Sequence, residues 1–345
     1  MLYFHNDYNE MCHPKVWEKM QDLQGKSVNG YGVDPCCDAA AEKIRALCGN
    51  DDLAVHFLVG GTQTNLTVIA AALRPHQAVL TVTDGHINVH ETGSIEATGH
   101  KVVALPSPDG KITAQQVAQF GQSQLENGDK EHMVQVKMVY ISNPTELGTL
   151  YSLAELEEIS AACRQYGFYL FLDGARLAYG LTAKGNDVSL SDLARLCDVF
   201  YIGGTKCGAM FGEAVVIANK AIADDFRYMI KQRGGMLAKG FLLGAQFDAL
   251  MTDDLYFEIA RKANAQADRI RETLAERNVP LLVSGVTNQV FPVLPDAVLA
   301  ELGTEFTFAE IQRYDKTHRV VRFCTSWATK DENVAALCEA LRKSL

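Results

Sequence analysis

Val199 to Ala209 reads VFYIGGTKCGA, an apolar strand-like run entering two glycines, a threonine and then Lys206. Lysine is ordinarily a solvated surface residue, and a strand-to-loop junction on the surface would account for it. The alternative is an amine held at the mouth of a sheet, placed to form a Schiff base with a carbonyl. That chemistry needs companions: an acid for a ring nitrogen, a cradle for an anionic tail, a flat group to stack on a ring and a cation for a carboxylate.

Candidates for each lie elsewhere in the chain. In LFLDGAR, Asp173 stands at the C-terminal end of a buried strand, the end where open α/β sheets collect ligands. Its carboxylate could bond a protonated ring nitrogen. Arg176 could grip a substrate carboxylate in bidentate fashion or buttress Asp173, and a structural Asp–Arg pair is the plainer reading. GGTQTN follows a strand and opens a helix, so Gly61 and Thr62 could present backbone amides to a phosphate. It is neither GxGxxG nor a P-loop, and an ordinary glycine turn with Thr62 as N-cap is the alternative. In DGHINVHE, His86 lies just after another strand, where an imidazole could stack on a ring and move a proton. Glu91 could orient it. His86, His90 and Glu91 lack the further ligand cluster a metal centre needs, so no metal is expected. Arg322 alternates with Val321 and Phe323, either on a wet strand face or aimed into a cleft. Asn6, among aromatics near the N-terminus, is a turn former or a ligand contact. Tyr31, between Gly30 and Gly32, is exposed or closes over a neighbouring site.

These residues must be positioned by a sizeable fold. The chain has 345 residues, 48% hydrophobic and 21% charged, enough for one large or two moderate soluble domains. A net charge of -10 argues against nucleic acid or anionic membrane as partner. The nine cysteines follow no zinc or disulfide spacing, and MLYFHNDYNE is not a signal peptide, so a cytoplasmic protein with reduced thiols is expected. Strand patterns at 55–59, 78–82, 101–105, 136–141, 168–172, 199–202 and 214–218 alternate with helices at 62–73, 87–98, 113–127, 152–166 and 188–196, the signature of a mostly parallel α/β sheet. The last two strands, joined by glycines rather than a helix, read as an antiparallel hairpin. Beyond residue 220, long helical stretches (220–250, 254–277) precede short strands (280–283, 289–294, 318–325) and a final helix (331–344). The expected organisation is an N-terminal arm at 1–20, a large domain at 21–235 and a smaller α+β domain at 236–345.

Taken in order, HNDYNEMCHP, YGVDP, GGTQTN, GHINVHETG, LDGAR, GGTKCGAMFGEA and VRFCTSW resemble the fold type I pyridoxal phosphate enzymes. Within them the chain is similar to the L-threonine aldolase branch of the β-eliminating lyases, nearly end to end. The resemblance implies a pyridoxal 5'-phosphate cofactor joined to Lys206, with Asp173 on its ring nitrogen, Gly61 and Thr62 holding its phosphate, His86 stacked on its ring, and Thr205 and Arg176 among its further contacts. It implies that Arg176 and Arg322 bind the amino acid carboxylate with Asn6 beside them, where many relatives have serine. Glu146 in NPTELGT aligns with a second histidine of some members. Lys231 becomes a candidate to reach the phosphate, and Tyr31 the substrate, across a subunit boundary in a homodimer or homotetramer with sites at the interface. The implied reaction is retro-aldol cleavage of L-threonine or L-allo-threonine. β-Elimination from another amino acid and a catalytically silent binding protein of the same fold are the alternatives.

Overall fold

The computed structural model describes residues 1–345. Its strands are β1 (Leu2–Tyr3), β2 (Ala54–Leu58), β3 (Gln77–Val82), β4 (Val102–Leu105), β5 (Gln135–Ser142), β6 (Tyr169–Asp173), β7 (Val199–Gly203), β8 (Glu213–Ile217), β9 (Gln289–Val290), β10 (Val293–Pro295), β11 (Phe306–Thr307), β12 (Ala309–Arg313) and β13 (His318–Cys324). β2 to β8 form one sheet in the order β2-β8-β7-β6-β5-β3-β4. Only β8 runs against its neighbours, so β7 and β8 form the expected hairpin. All seven strands fall within one residue of the expected bounds.

Alternation along these strands builds two cores. Leu80, Val139, Ile141, Leu170, Leu172, Phe200, Ile202 and Val216 face one layer of helices. Val79, Met138, Tyr140, Phe171, Val199, Tyr201 and Val215 face the other. Because both faces are covered, β3, β7 and β8 are buried along their whole length. A third core gathers Ile270, Leu274, Val321, Phe323, Leu337 and Leu341 between the C-terminal strands and the helices Leu255–Glu276 and Asp331–Ser344. Phe4, from the beginning of the chain, is fully buried in it. β1 pairs with β11, and the Phe4 carbonyl accepts the Cys324 N–H at 2.8 Å. No helix is long and apolar enough to cross a membrane.

Four expected elements are corrected. The helix at 87–98 is one helical turn, His86–Val89, and a 3-10 turn, Glu96–Thr98. Thr92 and Gly93 between them take φ of 51° and 70°, outside any right-handed helix. The helical stretch 220–250 is three separate pieces, Lys220–Ala223, Phe226–Gln232 and Phe241–Leu250, interrupted at Asp225 (φ 55°) and Gly234 (φ 73°). The strand at 280–283 is a single bridge, Leu281 to Pro292. The strand at 289–294 splits into β9 and β10 around Pro292, which lacks an N–H for the ladder.

Candidate active site

The register of the large sheet brings the candidate residues to one edge. Ser142 is level with Asp173, and Leu58, Glu213 and Gly203 form one row across β2, β8 and β7. His86 follows β3, Asp173 ends β6, the Lys206 turn follows β7, and the Gly60–Gly61 loop follows β2. All therefore emerge at the C-terminal edge of the parallel strands.

Asp173 is 3% exposed. Its Oδ1 accepts the Tyr201 hydroxyl at 2.5 Å and the Ala175 N–H at 2.9 Å. Its Oδ2 accepts the Tyr140 hydroxyl and, at 3.2 Å, the Asn65 amide. Burial pushes this carboxyl upward, but the positive field of His86 and the tyrosine and backbone donors outweigh it and hold it below its ordinary value. The result is an anion inside the protein. Asn65 also donates to Glu91 Oε1 at 2.7 Å, and the same oxygen meets His86 Nδ1 at 2.7 Å. Ser94 donates to Glu91 Oε2 at 2.8 Å. Glu91 thus orients His86, leaving Nε2 as its free nitrogen. Burial lowers the His86 pKa, but the Glu91 bond and the charges of Glu146 and Asp173 reverse this and raise it above 6.5. His90 is exposed, its ring 5.5 Å from that of His86.

The Lys206 turn is fixed by contacts on every side. The N–H groups of Gly204 and Thr205 both reach the Gly212 carbonyl, at 3.0 and 3.1 Å. The Thr205 hydroxyl accepts the Gly212 N–H at 3.0 Å. Tyr256 donates to the Gly203 carbonyl at 2.8 Å, and Tyr179 to that of Lys206 itself at 2.6 Å. A Cβ on Gly204 would stand 2.7 Å from both the Gly212 oxygen and the Phe247 ring, so only glycine permits the approach. The Lys206 charge acts on Asp7, His86 and Glu213.

Arg176 and Arg322 differ. Arg176 is 7% exposed and bound by both oxygens of Asp7, at 2.7 and 3.0 Å. Asn288 donates to the same carboxylate at 2.9 Å. Burial raises the Asp7 pKa, but Arg176, Lys206 and Asn288 together bring it down to about 2. Arg176 does not touch Asp173; Glu146 stands 4.0 Å from its Nη1. Arg322 has only neutral partners, Gln289 Oε1 and the His5 carbonyl, each at 3.0 Å, and its Nε is buried without one. Asn6 accepts the Tyr8 N–H at 3.1 Å, an Asx turn.

At the phosphate candidate, the helix Gly61–Ala72 is capped by Gly60 with no side-chain hydrogen bond, which corrects the alternative reading of Thr62 as N-cap. Thr62 is exposed in the first turn. The first intrahelical bond is Thr64 N–H to the Gly60 carbonyl, so the N–H groups of Gly61 and Thr62 face outward. Lys231 and Tyr31 form a cluster of their own, the ammonium 5.0 Å from the ring centroid, with Arg227 donating to the Tyr31 carbonyl at 3.0 Å.

These features suit pyridoxal phosphate: uncapped amides for a phosphate, an ionised buried acid, an orientable imidazole, a fixed lysine and an arginine without a counter-charge. Thr64 Oγ1 and Asn65 Oδ1, buried beside the first helical turn, lack partners. Sequence reasoning missed Asn65, Tyr140, Tyr201, Asn288 and Glu213. Tyr140 and Tyr201 carried a signal, since a phenol in an otherwise apolar buried strand needs a polar partner. Asn288 and Glu213 carried none before the register was known.

The chain is similar throughout to proteins of one kind. The low specificity L-threonine aldolase of Pseudomonas aeruginosa is 29% identical over 344 residues, covering 98% of this chain and 96% of that protein. A solved structure of Leishmania major threonine aldolase is 46% identical, covers 99% of both chains and superposes with a TM-score of 0.96. A Thermus thermophilus aspartate aminotransferase double mutant, 17% identical over all of this chain and 92% of that one, shares the fold with a TM-score of 0.73. The architecture is the fold type I, transferase-like arrangement that the resemblance implied. The model of the beta-eliminating lyase family matches residues 12–297, and the chain belongs to that family.

Proposed function

We propose that the protein cleaves L-threonine, L-allo-threonine and related β-hydroxy-α-amino acids to glycine and an aldehyde, using pyridoxal 5'-phosphate bound at Lys206. The observation that carries this reading is the meeting of a rigidly held lysine, an ionised buried Asp173 and a Glu91-oriented His86 at one sheet edge. When bound, the cofactor supplies an electron sink for the pair released from the Cα–Cβ bond.

The chain's own residues supply the rest. Asp173 keeps a proton on the ring nitrogen by ionic contact. Gly61 and Thr62 hold the phosphate through backbone N–H groups, with Thr205 beside Lys206. Arg322 binds the substrate carboxylate, because its charge meets only neutral acceptors. Arg176, neutralised by Asp7, shapes the wall beside it. His86 Nε2 takes the β-hydroxyl proton, and its raised pKa makes it a stronger base. Asn6, Tyr31 and Lys231 belong to the surroundings of the site, the last two through a second subunit of a homo-oligomer. The protein works in the cytoplasm.

Product analysis on L-threonine, L-allo-threonine and L-cysteine tests the reading. Glycine with acetaldehyde and no pyruvate is expected from both threonines. Pyruvate from cysteine without glycine from threonine would instead establish β-elimination.

A further inference from the structure

Glu213 opens β8, directly opposite Gly203 on β7 and Leu58 on β2. It is 3% exposed, yet forms no ion pair. Its Oε2 accepts the Gly204 N–H at 3.0 Å, an N–H it shares with the Gly212 carbonyl. The Thr205 hydroxyl also approaches the carboxyl. Glu213 is therefore tied to the two residues preceding Lys206, from a position level with the loop that opens the Gly61 helix. An apolar strand gains nothing from a carboxyl here.

The geometry points to Glu213 as a positioning residue for the proposed reaction: its buried carboxyl pins the turn that presents Lys206 and supplies the negative charge against which the lysine amine gains and loses its proton. The inference rests on Lys206 being the reacting amine. The titratable groups facing Glu213 are Lys206 from the turn, Asp173 from β6, Tyr201 from β7 and Tyr256 from the helix Leu255–Glu276. Of these only Lys206 carries positive charge. Burial pushes the Glu213 carboxyl up to about 7, although Thr205, Gly204 and Lys206 pull it down. The carboxyl is therefore an anion at the alkaline pH where a lysine loses its proton, and the two charges then favour each other.

The test compares the full-length protein with Glu213→Gln, which keeps an oxygen acceptor for Gly204 but no charge. Competitive acetylation of cofactor-free protein across pH, read by mass spectrometry of the Lys206 peptide, gives the titration midpoint of that amine. Loss of the anion should move the midpoint to lower pH. A midpoint equal to that of the wild type overturns the inference, since a purely structural glutamate would change melting temperature alone. Should Glu213→Gln fail to fold, Lys206→Ala gives the reciprocal measurement. The Glu213 pKa lies above its unfolded value of 4.5, so its contribution to stability is present below that pH and is lost as pH rises through about 7. Removing the lysine cation should move this loss to higher pH, and an unmoved melting profile overturns the inference. Absorbance of added pyridoxal phosphate that borohydride abolishes is scored separately. Its absence, with the Lys206 midpoint still shifted, would sink the functional reading and leave only the electrostatic coupling of Glu213 to Lys206 standing.

Discussion

Asp173 and Glu213 lie two strands apart at the same edge of the same sheet, and each is 3% exposed. Yet one carboxyl is held below its ordinary pKa and the other is pushed to about 7. Burial acts on both in the same direction, so it cannot be the cause of the difference. Asp173 receives two phenols, an amide and a backbone N–H, and faces His86. Glu213 has Gly204 and Thr205, with Asp173 as a like charge nearby. The number of donors and the sign of the neighbouring charge decide whether a buried acid remains an anion. One sheet edge can then hold a lasting negative charge, proposed to serve a ring nitrogen, and, close by, a carboxyl that changes state near neutrality.

Removing Lys206, the proposed reacting amine, should have the largest effect. Lys206→Ala should lower threonine cleavage by at least about a thousandfold, measured as glycine release in saturating pyridoxal phosphate. Next, Asp173→Asn should reduce kcat by about a hundredfold to a thousandfold, whereas Glu213→Gln should lose no more than about tenfold. Equal losses would mean that the two carboxyls do the same work. A third buried acid sharpens the contrast from the side of stability. Asp7→Asn leaves Arg176 buried without its counter-charge and should cost about 3–5 kcal/mol, read from denaturant unfolding. The Asp7 pKa is depressed, so in the wild type its contribution is present above 3.8 and lost as pH falls through about 2. The smallest effect concerns His86. The acid limb of kcat/KM should lie above pH 6.5, and Glu91→Gln should move it to lower pH.

The large sheet was legible because its strands are buried on both faces and punctuated by glycine, leaving few ways to misread them. LFLDGAR and YIGGTK placed Asp173 and Lys206 at strand ends by pattern alone. What failed followed from local backbone. The stretch after His86 has helical composition, but Thr92 and Gly93 take left-handed φ, and Glu91 spends its carboxylate on His86, Asn65 and Ser94. β12, with the sequence AEIQR and four exposed residues, alternates too briefly to mark it as a strand, and Ile311 lies in solvent. The different partners of Arg176 and Arg322 were not legible either. Arg176 belongs to Asp7, which lies 169 residues earlier, and no window of sequence contains both.

That separation has a consequence for how the protein comes into being. The side of the site proposed to bind a carboxylate joins His5 to Arg322, 317 residues apart, while β1 lies against β11 and Phe4 packs in the C-terminal core. A ribosome releases the first of these residues long before the last, so the opening segment must wait, unpaired, through nearly all of synthesis. The sheet edge carrying Lys206 and Asp173 can form in the meantime, but without the wall that grips an amino acid. A nascent or truncated chain would thus present a reactive lysine without the means to hold its substrate. Synthesis through Arg322 is the step that adds the proposed carboxylate-binding wall to that edge.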